Sequence, residues 1–168
     1  VLRADYRPSV VTAASSHPLK AGSPALLNEF LVPEYTRLFS FYKSRGVLIS
    51  FHSCGNLDAV LDVFLRLGVD ILNPVQATAN DLDRVRQRTQ GKMALQGALS
   101  SALIVDGPPD RIVAEARERM WQLGRDGGYF CGPDQGMPWP EAHIAALQET
   151  VEFYGRYPLP PPEDAERS

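Results

Sequence analysis

Only two cysteines, Cys54 and Cys131, occur among the 168 residues. That is too few for a disulfide scaffold, and the cytoplasm is the expected compartment. No run approaches the roughly 20 apolar residues of a membrane helix. A net charge of −3 leaves no basic excess to attract nucleic acid or an anionic membrane, so neither is expected as a partner. The sequence begins Val1-Leu2-Arg3-Ala4-Asp5, with no initiator methionine and no signal-peptide core, which points to a fragment or a processed chain. What is present is ordinary for a globular domain: 44% hydrophobic and 22% charged residues, enough apolar material for a core.

Four apolar segments read as strands, each followed by a helical pattern. The first, 47–51, precedes a helix that Asn56 is expected to cap, with Leu57, Val60, Leu61, Phe64 and Leu67 on one face and Gly68 as the stop. The second, 69–74, precedes a polar helix over 80–90, whose Asp81, Asp83, Arg84, Arg86 and Arg88 read as a solvated face. The third, 93–96, leads to a helix opening near Pro108-Pro109 that buries Ile112, Val113, Ala116, Met120 and Leu123. Gly127-Gly128 introduces the fourth strand, 129–131, and a last helix over 140–154 is expected to leave His143 in solvent.

Upstream, Ser23-Pro24 reads as a helix start for a stripe of Leu27, Phe30, Leu31, Leu38, Phe41 and Tyr42, split or kinked at Pro33. Residues 1–19 are expected to be irregular with at most one short strand, 20–158 to form the domain, and 159–168 to be a disordered tail. Alternating strands and helices predict a parallel α/β sheet. Four βα units suit either half of a (β/α)8 barrel, which needs about 250 residues, or an open doubly wound sheet.

The most informative local pattern is His52-Ser53-Cys54-Gly55-Asn56, at the end of the first strand. Side chains two apart on a strand share a side, so imidazole and thiol can converge on one ion, and both are zinc ligands. The plainer alternative is a hydrogen-bonded histidine beside a structural thiol. Gln96 reads as a strand-end residue at the mouth of a site, with Asn73 and Gln76 weaker cases of the same kind. Asp134 and Gln135 sit in a Gly/Pro loop that either simply turns or lines that mouth. His17 has no partner at ligand spacing. Gly127-Gly128 has no helix N-terminus close enough to make a phosphate loop.

Several segments follow one another in a characteristic order. They are the stretch from Ser23-Pro24 to Pro33, His52-Ser53-Cys54-Gly55-Asn56, and Leu95-Gln96-Gly97-Ala98-Leu99. Gly127-Gly128-Tyr129 through Asp134-Gln135-Gly136-Met137-Pro138 comes next, and Tyr154-Gly155-Arg156-Tyr157-Pro158 closes the series. In this order the chain resembles the C-terminal half of the uroporphyrinogen decarboxylase superfamily, which includes cobamide-dependent methyltransferases. The resemblance implies the second half of a (β/α)8 TIM-type barrel. His52-x-Cys54 resembles the zinc motif of the methyltransferase branch, whose distant third ligand would be Cys131.

The resemblance further implies zinc as cofactor and a corrinoid partner protein carrying methylcobamide as methyl donor. A thiol or a pterin would be the small-molecule acceptor. Gln96, Asp134 and Gln135 would serve catalysis, while Asn73 and Gln76 would contact the cofactor. Decarboxylases of the superfamily resemble one another at Gln-Gly-Asn-Leu-Asp-Pro, where this chain has Gln96-Gly97-Ala98-Leu99-Ser100-Ser101. They carry a histidine where Gln135 stands. The alternatives are a decarboxylase of tetrapyrrole biosynthesis and a truncated, non-catalytic binding subunit.

A half barrel exposes its inward layer, drawn here from Val47, Ile49, Phe51, Ile71, Met93, Leu95 and Phe130. Self-association or a complementary half is therefore expected, and the isolated chain is expected to be inactive.

Overall fold

A computed structural model describes residues 10–14, 25 and 27–162. Apolar strand segments pair side by side into one parallel sheet: β1 (Val10–Ala14), β2 (Leu48–His52), β3 (Ile71–Val75), β4 (Ala94–Leu99) and β5 (Tyr129–Pro133), in the order β1-β2-β3-β4-β5. Every strand pairs with its successor in the chain. A doubly wound sheet reverses its strand order at a switch point; this one does not. It is the singly wound arrangement of a partial (β/α)8 barrel. β1 is the short strand allowed for in the first 19 residues.

The helices are α1 (Val32–Lys43), α2 (Leu61–Leu67), α3 (Leu82–Thr89), α4 (Ser101–Asp106), α5 (Pro109–Gly124) and α6 (Glu141–Tyr154). A wider helical turn, Leu27–Leu31, leads into α1, so Pro33 falls in the first turn where its missing N–H costs nothing. The expected start at Ser23-Pro24, like His17, lies outside the described residues. Asn56 does not cap α2. Its Oδ1 accepts from the Asp58 N–H at 3.0 Å, and a turn from Leu57 intervenes before the helix begins at Leu61. Gly68 stops α2 in the left-handed conformation, φ 72°, as glycine does without steric cost. Asp81 caps α3 by accepting from the Arg84 N–H. The six-residue α4 is too short for a periodic signal; Ser100 caps it, accepting from the Leu103 N–H.

Period-2 alternation decides which strand residues meet helices. Ile49, Phe51, Leu72 and Leu95 are at most 1% exposed and pack under α1 to α3, with the Phe51 ring 4.7 Å from that of Phe64 and 5.3 Å from that of Tyr35. Each such side chain, fully buried, is worth about 1.5–3 kcal/mol. The alternate positions Val10, Leu48 and Phe130 lie on the uncovered inner face, 41%, 47% and 53% exposed. This corrects the expected inward layer: Val47, Ile49, Phe51, Met93 and Leu95 are buried, while Ile71 and Phe130 belong to the open face. A second core of Leu99, Ile104, Ile112, Ala116 and Leu147 sits under α4 to α6.

Three further expectations change. Arg86 is not on a solvated face; it is buried, and its guanidinium donates to the carbonyls of Gly127 and Gly128 at 2.9 and 3.3 Å and to Gln90 Oε1 at 2.5 Å. It ties α3 to the turn that starts β5. His143 is half-buried, with Nδ1 2.7 Å from the Ile104 carbonyl. Leu159, at the start of the tail expected to be disordered, is buried beside Gly124; residues 163–168 lie outside the description. No described helix is long and apolar enough to cross a membrane.

Candidate functional site at the strand ends

Pairing register gathers polar side chains on the inner face. His52 is opposite Asn73, Gln96 is opposite Phe130, and Leu72 pairs with Leu95, so His52, Asn73, Gln96 and Phe130 form one row across the sheet. Gln96 is thus the third of six residues in β4, exposed on the inner face below the strand end where it was expected. Gly97, at φ +108°, allows the close approach of β3 above this row; a Cβ there would meet Pro74 Cβ at 3.1 Å and the Val75 nitrogen at 3.2 Å.

The Ser53 N–H donates to the Asn73 carbonyl at 2.8 Å, extending the β2–β3 ladder by one residue. Ser53 is buried, and its neighbours His52 and Cys54 share the opposite side. His52 Nε2 lies 3.4 Å from Cys54 Sγ, and Nδ1 lies 3.0 Å from Asn73 Oδ1. With Oδ1 as acceptor, the network assigns the proton to Nδ1 and leaves the Nε2 lone pair facing the thiol. Two ligands on one tetrahedral zinc ion, with Zn–N about 2.0–2.1 Å and Zn–S about 2.3 Å, stand about 3.6 Å apart. The Nε2–Sγ spacing fits that, and the Nδ1 partner is the support a ligating histidine needs.

The loop carrying Cys54 is held from the β3 side. Gln76 Oε1 accepts from the Gly55 N–H at 2.6 Å. Asn80 accepts from the Leu57 N–H at 2.8 Å and donates to the carbonyls of Gly55 and Gln76, both at 2.9 Å. Asn56 donates to the Ala79 carbonyl at 2.8 Å. Gln76, expected to contact a cofactor, uses its carbonyl oxygen to shape the loop.

Across the mouth, Asp134 is 7% exposed. Its Oδ1 accepts from the Ser101 N–H at 3.1 Å and the Ser101 hydroxyl at 2.5 Å, while its own N–H donates to the Leu99 carbonyl at 3.0 Å. The Gln135 N–H donates to Ser101 Oγ at 2.9 Å. Asp134, expected to be catalytic, is thus a bracket between β5 and α4. Gln135 is exposed and reaches inward, its Nε2 4.0 Å from Cys54 Sγ.

Cys131 does not join them. In β5 it pairs with Gly97 of β4, and it packs against the α4–α6 core. Burial pushes its thiol up to about 11, only partly offset by the Tyr129 hydroxyl, so it is protonated at neutral pH. Tyr129 donates to the Gly97 carbonyl at 2.6 Å. Burial likewise raises the Glu115 carboxyl, opposed by the Ser100 N–H and Arg119. Among the described residues no three His, Cys, Asp or Glu side chains are grouped to hold a metal ion. Asn80 and Ser101 escaped the sequence reading. Each sits beside a capping signal, Asp81 and Ser100, but the partners lie 23 and 33 residues away.

A singly wound parallel sheet with a histidine, a thiol and neutral amide side chains gathered toward one end of its inner face defines part of a (β/α)8-type barrel, a fold whose sites lie on the C-terminal face. The family model described as uroporphyrinogen decarboxylase (URO-D) matches residues 20–156, and the chain belongs to that family. Proteins named uroporphyrinogen decarboxylase from Burkholderia mallei and Burkholderia thailandensis are 32% identical over 115 residues, 67% of this chain and 30% of theirs. The chain thus spans under a third of the length of these curated relatives. A methyltransferase from Methanosarcina mazei shares the fold, with a TM-score of 0.68 at 24% identity over 88% of this chain and 43% of that one.

Proposed function

We propose that the chain is the C-terminal part of a corrinoid-dependent methyltransferase, moving a methyl group from a methylcobamide on a partner protein to a thiol or pterin acceptor. The single observation that supports this reading is the His52 Nε2–Cys54 Sγ spacing of 3.4 Å, with Nδ1 fixed by Asn73. Zinc held by these two residues would keep the sulfur as thiolate and lower the pKa of an acceptor thiol. The chain's own contribution is placement. Asn73 sets the imidazole tautomer, Gln76 and Asn80 hold the Cys54 loop, and Gln96 offers amide hydrogen bonds on the inner face. Phe130 beside it supplies apolar contact.

Metal analysis of the purified protein tests this. The unsubstituted chain should hold zinc near one equivalent at neutral pH and Cys54→Ser should lose it. An unsubstituted protein that takes up no zinc from excess would retire the zinc mechanism.

The 32% identity to proteins named uroporphyrinogen decarboxylase favours a second reading, decarboxylation of a porphyrinogen. That chemistry needs cations for a polycarboxylate substrate. The open face instead offers the neutral Asn73, Gln96 and Gln135, with His52. Turnover of uroporphyrinogen by this chain joined to the remainder of its barrel would reverse the preference.

A further inference from the structure

We propose that the outward face of α1 is a docking surface for a second copy of this chain, the two helices lying antiparallel across a two-fold axis. The proposal does not depend on the metal reading above. Phe30, Glu34, Arg37 and Phe41 follow one another at spacings of four, three and four residues, the pattern of a coiled-coil seam. At about 100° per residue they lie within about 60° of one another, on the side of the helix turned away from the sheet. Val32, Tyr35, Phe39 and Tyr42 hold the opposite side against the core.

This stripe is apolar at both ends. Phe30 and Phe41 are 60% and 51% exposed, with Leu31 and Leu38 beside them at 37% and 42%. Barrel helices neighbour one another around a ring, so elements that complete the sheet would stand beside α1 and leave its outer face open. The Arg45 guanidinium sits 3.7 Å from the centre of the Phe41 ring and steadies it at the end of the seam.

The charges in the middle select the occupant and its direction. Glu34 and Arg37 form an ion pair at 3.0 Å, their side chains 71% and 83% exposed. A parallel second copy would set glutamate against glutamate and arginine against arginine, which repel. An antiparallel copy, with the axis midway between positions 34 and 37, sets Glu34 against the second copy's Arg37 and Phe30 against its Phe41. The reverse contacts form at the same time, as an isologous interface requires. Four alternating charges then lie between two pairs of aromatic rings. The about 25 Å of helix from Leu27 to Lys43 offers less than the about 800 Å² per partner of a standard interface. The dimer is therefore weak and reversible.

Sedimentation equilibrium of the whole chain, over concentrations on the order of 1 μM to 1 mM, tests this. Every sample carries Leu48→Asp and Phe130→Asp, so that the open sheet face does not contribute. A dimer should form as concentration rises. Glu34→Arg and Arg37→Glu should each weaken it about tenfold or more. An equimolar mixture of these two variants should recover it as a heterodimer, because each pair of like charges then faces a pair of the opposite sign. Both reversals in one chain should recover the homodimer. The substituted positions are exposed, and unchanged far-UV circular dichroism checks that the variants are folded. A chain that stays monomeric throughout, or single reversals that leave the dimer intact, would overturn the proposal. Failure of both the mixture and the double reversal to recover it would do the same, since Glu34 and Arg37 would then not face each other.

Discussion

Replacing Asn80 with alanine is the sharpest test of how the Cys54 loop is held. The side chain makes three hydrogen bonds at 2.8–2.9 Å, one from the Leu57 N–H and two to the carbonyls of Gly55 and Gln76. Each is worth about 1 kcal/mol net. Leu57 is fully buried, so its N–H has little access to a replacement water, and the sum should stay near about 3 kcal/mol. For a chain of this size that lowers the melting temperature by about 6–12 °C, a large part of a typical stability of about 5–15 kcal/mol. Urea unfolding followed by the fluorescence of Trp121 and Trp139 measures it. Asn80→Asp should be no better, because it keeps the acceptor for Leu57 but turns an oxygen toward two carbonyls; its defect should ease as pH falls and the carboxyl gains a proton. On the proposed zinc reading, both substitutions should also weaken zinc uptake, since Cys54 rides on this loop. A loss below about 1 kcal/mol for Asn80→Ala would refute the idea that Asn80 ties the two loops together.

Asp134→Ala removes a buried acceptor of two Ser101 hydrogen bonds and should cost about 2–4 kcal/mol; equal midpoints in urea would contradict the bracket. The two thiols should differ in reactivity: at pH 8 the exposed Cys54 reacts with a disulfide reagent, while Cys131, its thiol raised to about 11, reacts only on unfolding. Two equally fast thiols would contradict this placement. The same shift predicts a pH effect on stability. Between the ordinary thiol range and about 11 the unfolded chain loses that proton and the folded chain keeps it, so stability falls as pH rises through this window. The fall should flatten in Cys131→Ser, measured as urea midpoints across the window. Finally, Leu48→Asp and Phe130→Asp should reduce self-association in light scattering with little loss of stability, because both side chains stand on the open face; no change in association would mean that this face is not what brings molecules together.

Local pattern determined much of this protein. The period of apolar residues located β2 to β5 and most helices, Gly68 marked where a helix ends, the split read at Pro33 falls at the start of α1, and the two-residue spacing of His52 and Cys54 put their side chains together. These are properties of neighbouring residues and need no knowledge of the rest of the chain. Strand order, by contrast, became visible only in the sheet, where the absence of a reversal separated a partial barrel from a doubly wound fold. So did the facing of Ile49, Phe51 and Leu95 toward their own helices, the inward turn of Arg86 onto Gly127 and Gly128, and the departure of Cys131 into the helix layer. The Asn80 and Ser101–Asp134 ties belong with them. Each depends on register and packing between segments that are 20 to more than 40 residues apart in the chain, and periodicity within one segment carries no information about which face of another it will meet.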